Sequence, residues 1–145
     1  MDNEKITRIA EAIVKSMQVS NLDTAKFGLE KARLLISKVE KKAAEMGLSV
    51  VVAVSNEAAR PIAVECMDDS YIASYDVAFN KAYTVVALKM STIALKDLAQ
   101  PGQSLYGIQF TNGGQIVIFG GGDPLIYNGK IRLWKKLRIC CKNKH

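Results

Sequence analysis

Five residues in the first half of the chain, Val50-Val51-Val52-Ala53-Val54, constrain its fold more than any other stretch. β-Branched side chains are stiff about χ1 and favour extended backbone. An unbroken apolar run of this length reads as a strand buried on both faces. Just ahead of it, Leu22, Ala25, Leu29, Ala32, Ile36, Val39, Ala43 and Met46 recur in steps of three and four. The spacing predicts one apolar stripe along a helix of about 25 residues. Ser20-Asn21-Leu22-Asp23 reads as its capping box and Gly47 as its end. A partner helix would suit the stripe, but strand-like sequence follows at once and makes a sheet the better cover. Earlier still, Ile6, Ile9, Ala10, Ile13, Val14 and Met17 space residues 3–18 as an amphipathic N-terminal helix.

Beyond the valine run, Ser55 to Arg60 turns the chain and Pro61 to Cys66 supplies a second strand. Ser70 is the expected cap of a helix rich in small residues (Ala73, Ser74, Ala78, Ala82, Ala87) that ends near Lys89 or Met90. Ser91-Thr92 restarts a short helix to Leu98, and Gln100-Pro101-Gly102 breaks it. The last third reads as β. Strands are expected at Tyr106–Thr111 and Gln115–Phe119, either side of Asn112-Gly113-Gly114. After Gly120-Gly121-Gly122-Asp123-Pro124, Leu125–Tyr127 and Lys130–Trp134 pair through the hairpin signal Asn128-Gly129. This order predicts an α+β fold, helices packed on an antiparallel sheet, in one domain spanning residues 1–145.

The net charge of +6 invites a nucleic-acid reading, so its distribution matters. Seven of the 20 basic residues fall in residues 130–145, which hold no acid, and the remainder sets 13 bases against 14 acids. The body is near neutral, and the basic tail with Trp134 matches no nucleic-acid motif; no nucleic-acid partner is expected. No stretch of about 18 residues is apolar throughout, so no membrane span is expected either. Residues 1–20 lack the apolar core of a secretory signal, which points to a cytoplasmic protein whose three cysteines stay reduced.

The chemistry is narrowed further by histidine. The one histidine is His145, so Ser–His and Cys–His catalysis and histidine metal sites are not expected in the body. No catalytic set is read from the residues. Gly120, Gly121 and Gly122 could offer backbone N–H groups to a ligand, without the lysine and hydroxyl of a P-loop, or simply turn the chain. Asp68 and Asp69 precede a helix, where acids favour the N-terminus electrostatically. Lys81, among Ala78, Ala82 and Val85, either enters a pocket or snorkels to water. Tyr106 either lines a cavity or packs in a core or interface.

Taken in order, several segments resemble one known family: the strands at Val50–Val54 and Pro61–Glu65, Met67-Asp68, and Asp76-x-Ala78-x-x-Lys81-Ala82-x-Thr84. Pro101-Gly102-Gln103-Ser104-Leu105-Tyr106-Gly107 and Phe119-Gly120-Gly121-Gly122-Asp123-Pro124-Leu125 complete the set. This order is similar to the GlcG/HbpS-type haem-binding-protein family, which also supplies the C-terminal domain of PduO-type cobalamin adenosyltransferases. Within it, the likeness is nearest to OrfY-type proteins of glycerol and diol utilisation operons. The resemblance covers residues 20–130. It implies profilin-like α/β/α layers, homo-oligomers, and a non-enzymatic binding or accessory role in glycerol or diol utilisation. Haem or a cobalamin-related molecule is the implied ligand, with Asp68, Lys81, Tyr106 and Gly120 to Gly122 as candidate ligand-binding residues. Two other functions compete: an enzyme acting on a small metabolite through Lys81 with Asp76 or Asp68, and a structural oligomerisation module.

Two departures stand out. Haem ligation in PduO-type members uses a histidine, and residues 1–144 hold none. The family's glycine-rich last strand and final helix are replaced from Ile131 by an atypical basic tail. An edge strand or helix face is then expected to be left uncovered, for oligomerisation to cover.

Overall fold

A computed structural model of the chain describes residues 27–125, 136–138 and 140–143. The expected N-terminal helix, the Ser20 cap and the Asn128-Gly129 hairpin lie outside the described residues. The apolar stripe forms helix α1, Leu29–Glu45, which buries Ala32, Leu35, Ile36, Val39 and Ala43. Its described start is Gly28, without a side-chain cap. Gly47 ends the helix region as expected, at φ 69°, a left-handed conformation that glycine adopts without a Cβ clash.

Strand β1, Leu48–Ser55, is buried at all eight positions. It pairs antiparallel with β2, Pro61–Cys66, through Val52↔Glu65 and Val54↔Ala63. Asn56 closes the intervening turn, its side-chain oxygen accepting from the Ala58 and Arg60 backbone N–H groups at 3.0 Å each. Alternation along β1 divides the core into two layers. Val50, Val52 and Val54 pack with α1, while Val51 and Ala53 pack with Ala78 and Ala82 of helix α2, Ala73–Leu88. The small residues of α2 let it approach the sheet closely: Ser55 Oγ donates to Ala82 O at 3.3 Å. Helices on both faces of an antiparallel sheet make this an α+β fold.

Helix α3, Thr92–Leu98, restarts at Ser91-Thr92 as the sequence predicts, and the structure shows Ser91 as its cap, Oγ accepting from Ala94 N–H at 3.2 Å. Ser70 does not cap α2. The helix starts at Ala73 after Ile72, without a side-chain cap, and the Ser70 N–H instead closes a turn on Met67 O at 3.2 Å. The acid in the first turn is accordingly Asp76, not Asp68 or Asp69.

Two expected strands do not form. Tyr106–Thr111 folds into successive i→i+3 turns and a 3-10 turn at Ile108–Phe110, because Gly107 takes φ 87° and local bonds close one after another. Gln115–Phe119 has no strand partner among the described residues; Thr84 of α2 instead meets its Gln115 carbonyl and Val117 N–H. The remaining strands are β3, Gly122–Pro124, β4, Lys136–Arg138, and β5, Cys140–Asn143. β5 runs antiparallel to β1, giving the sheet order β2-β1-β5, and β3 pairs with β4. The segment expected as a basic tail thus contributes two strands, and β2 stands at an edge of its sheet.

Candidate functional site

Segment 112–122 lies along α2 and is pinned at four levels, three on α2 and the last on α3. The Asn112 side-chain amide donates to Tyr83 Oη at 3.2 Å. Thr84 Oγ1 accepts from Val117 N–H at 3.0 Å and lies 2.8 Å from Asn80 O and 3.1 Å from Gln115 O, its one proton serving either carbonyl. Lys81 Nζ donates to Gly120 O at 2.7 Å, and Gly122 N–H donates to Thr92 Oγ1 on α3 at 3.1 Å. Asn80/Thr84 and Lys81 share one stretch of α2 because residues three or four apart face the same way.

Lys81 is only 3% exposed. Lys81 therefore does not snorkel to water. Its ammonium ties α2 to the glycine turn and lies 4.1 Å from the centroid of the Phe119 ring, a cation–π contact in a desolvated setting. Phe119 itself remains 41% exposed. Behind it Gly121 and Gly122 are buried, and Gly121 sits at φ 108°, where an L side chain would be strained.

The structure therefore joins Lys81 with Gly120, Gly121 and Gly122. Asp68 stands exposed in the turn after β2, and Tyr106 is 64% exposed in the loop before the 3-10 turn. Both side chains face solvent. The pinning residues Tyr83, Thr84 and Thr92 are not among the site candidates that the sequence suggests. Thr84 lies in the Lys81-Ala82-x-Thr84 pattern, and a buried threonine on an apolar helix face is the signal that marks it. On the opposite face of the sheet, α1 and β2 border an open groove of about 690 Å³. There Glu40 is held above its ordinary carboxyl value, first by burial and then by the neighbouring Glu65 carboxylate. No group of three or more metal-ligating side chains occurs among the described residues. No helix among them is long and apolar enough to cross a membrane.

Comparison with known proteins agrees with this architecture. A family model for the haem degrading protein HbpS-like group matches residues 27–132. An uncharacterized 15.0 kDa protein from the dhaT-dhaS intergenic region of Citrobacter freundii is 41% identical over 117 residues, or 81% of this chain and 79% of that one. The crystal structure of Klebsiella pneumoniae protein ORFY superposes with a TM-score of 0.74 at 34% identity, over 83% of this chain and 85% of that one. The PduOC:heme complex gives the same TM-score, 0.74, at 30% identity over 80% and 83%.

Proposed function

The chain belongs to the HbpS-like family, and from that premise we propose that it is a small-molecule-binding accessory protein of glycerol or diol utilisation that works as a homo-oligomer. Its ligand is a planar tetrapyrrole or a cobalamin-related molecule. One observation carries this reading: Phe119 is held on the buried Lys81 ammonium beside the glycine turn and still offers part of its ring to solvent. Rigid aromatic surface next to backbone freed of side chains is what a flat ring system stacks on. Tyr106 and Phe110 are further exposed aromatics, in the loop that precedes segment 112–122. The relative encoded between dhaT and dhaS and the heme-bound PduOC structure support the choice of setting and ligand class.

Histidine ligation of haem iron does not fit this chain, whose one histidine is His145. The aromatic surface fits a ring without an iron–histidine bond. Lys81 Nζ donates to Gly120 O, so this lysine helps to hold the glycine turn on which the ring would rest.

Native mass spectrometry on protein purified without added ligand, followed by titration with haemin and with cobalamin, tests the reading. The expected result is a stoichiometric adduct with one of them on a defined oligomer, weakened by Phe119→Ala. An oligomer that takes up neither ligand overturns it.

A further inference from the structure

Four residues of α1, Leu29, Arg33, Ser37 and Glu40, fall on one stripe of the helix and face the groove over β2. Two properties of this groove are incomplete among the described residues. The first is backbone: β2 is an edge strand, with a row of N–H and C=O groups that no strand takes up among the described residues. The second is charge. Glu40 and Glu65 crowd one end, where burial and mutual repulsion already press on Glu40, and neither has a salt-bridge cation among the described residues. Arg33 sits at the other end and meets no carboxylate among the described residues. Along the helix Arg33 and Glu40 lie about 10 Å apart, with the small Ser37 between them. Leu29 adds an exposed apolar side chain and Ile62 a half-buried one.

This pattern is self-complementary under a two-fold axis near Ser37. An antiparallel copy of α1 would set each Arg33 against the other copy's Glu40, while the small serine lets the helices close. The same axis would bring the two β2 edges alongside each other. Such an isologous contact satisfies both deficits at once, because residue i meets j while j meets i. A small cationic ligand would answer the carboxylates but leave the β2 edge open and Arg33 unmatched. We propose that the α1–β2 groove is the interface with a second copy of this chain, joined through reciprocal Arg33–Glu40 contacts and paired β2 edges. The inference rests on the homo-oligomer reading above and specifies its surface.

Sedimentation equilibrium of the full chain, with Arg33→Glu, Glu40→Lys and the double variant, tests it. Each single change places like charges opposite one another twice per dimer and should weaken association roughly tenfold. The double variant swaps the pair and should recover most of that loss. If the parent is a monomer at all concentrations, the homo-oligomer reading and the interface both fail. If the parent assembles and all three variants assemble equally well, the oligomer stands and the α1–β2 interface is overturned. A Ser37→Cys variant gives a second readout. Mild oxidation should yield a disulfide-linked dimer above the background that the native cysteines set in the parent. If the thiol introduced by Ser37→Cys is shielded from maleimide in a monomer, the chain's own segment fills the groove, which also overturns the proposal.

Discussion

The α1–β1–β2 layer and segment 112–122 reach their native positions by different means. In the first, main-chain bonds close within helix and hairpin, and the apolar pattern decides which face turns inward. In the second, the backbone finds its partners on side chains: Thr84 takes Val117 N–H, Lys81 takes Gly120 O and Thr92 takes Gly122 N–H. A layer built from repeating main-chain bonds tolerates many local sequences with the same pattern. A segment hung on a few side chains depends on each of them. That makes the second region the one whose shape a binding site can set, and the first the frame that holds it.

The largest effect should come from breaking the frame. Leu35 is fully buried under α1, and Leu35→Ala should cost about 3 kcal/mol through lost burial and the cavity left behind. Urea unfolding would show it as a lower midpoint with an unchanged slope. The pinned segment should fail more locally. Thr84→Val keeps the shape but strips the hydroxyl from Val117 N–H and Gln115 O, a loss of about 2 kcal/mol. Hydrogen exchange should then show faster exchange at Val117 and its neighbours while the β1–β2 amides keep their protection. Equal loss in both regions would mean that they open as one unit, and the contrast between them would fall.

A smaller change tests the link between the two. Ser91→Ala removes the cap of α3, the helix that presents Thr92 to Gly122, and should cost about 1 kcal/mol. Thermal unfolding measures the loss, and Ser91→Asp should restore it. The smallest expected effect lies on the frame's outer surface. Glu40 has its carboxyl value raised by burial and by Glu65, so the folded state holds the proton more tightly than the unfolded chain. The stability from this source is full below the ordinary value of 4.5 and is lost as pH rises through the raised one. Glu40→Gln should therefore gain on the parent at neutral pH and match it in acid. Denaturant titrations at both pH values, at dilutions that keep copies apart, would read the difference.

The frame was legible in the residues. Val50 to Val54 marked a strand buried on both sides, the three-and-four spacing of Ala32, Ile36, Val39 and Ala43 marked the helix above it, and Ser91-Thr92 marked the restart of a short helix. Ser70 misled because a serine ahead of a helix is a cap only when the chain turns helical at once; here Tyr71 and Ile72 intervene. Gln115–Phe119 misled for a deeper reason. Its apolar, β-branched residues satisfy a strand pattern, but pattern alone does not supply a neighbouring strand. Lys81 and the glycine turn were visible as residue types; that the lysine reaches inward to Gly120 was not.

What the amino-acid order determined by itself is which surfaces must leave water: one strand on both faces, one stripe of α1, and the small-residue face of α2. Local spacing is enough for that, since hydrophobic burial follows periodicity and needs no knowledge of the partner. Only the tertiary structure decided where the unpaired polar groups go. A backbone N–H at Val117 and a carbonyl at Gly120 must find partners once they are partly withdrawn from water, and those partners are 33 and 39 residues away on α2. Sequence distance carries no signal for such bonds, because they are chosen by the packing of α2 against the sheet rather than by any neighbour in the chain.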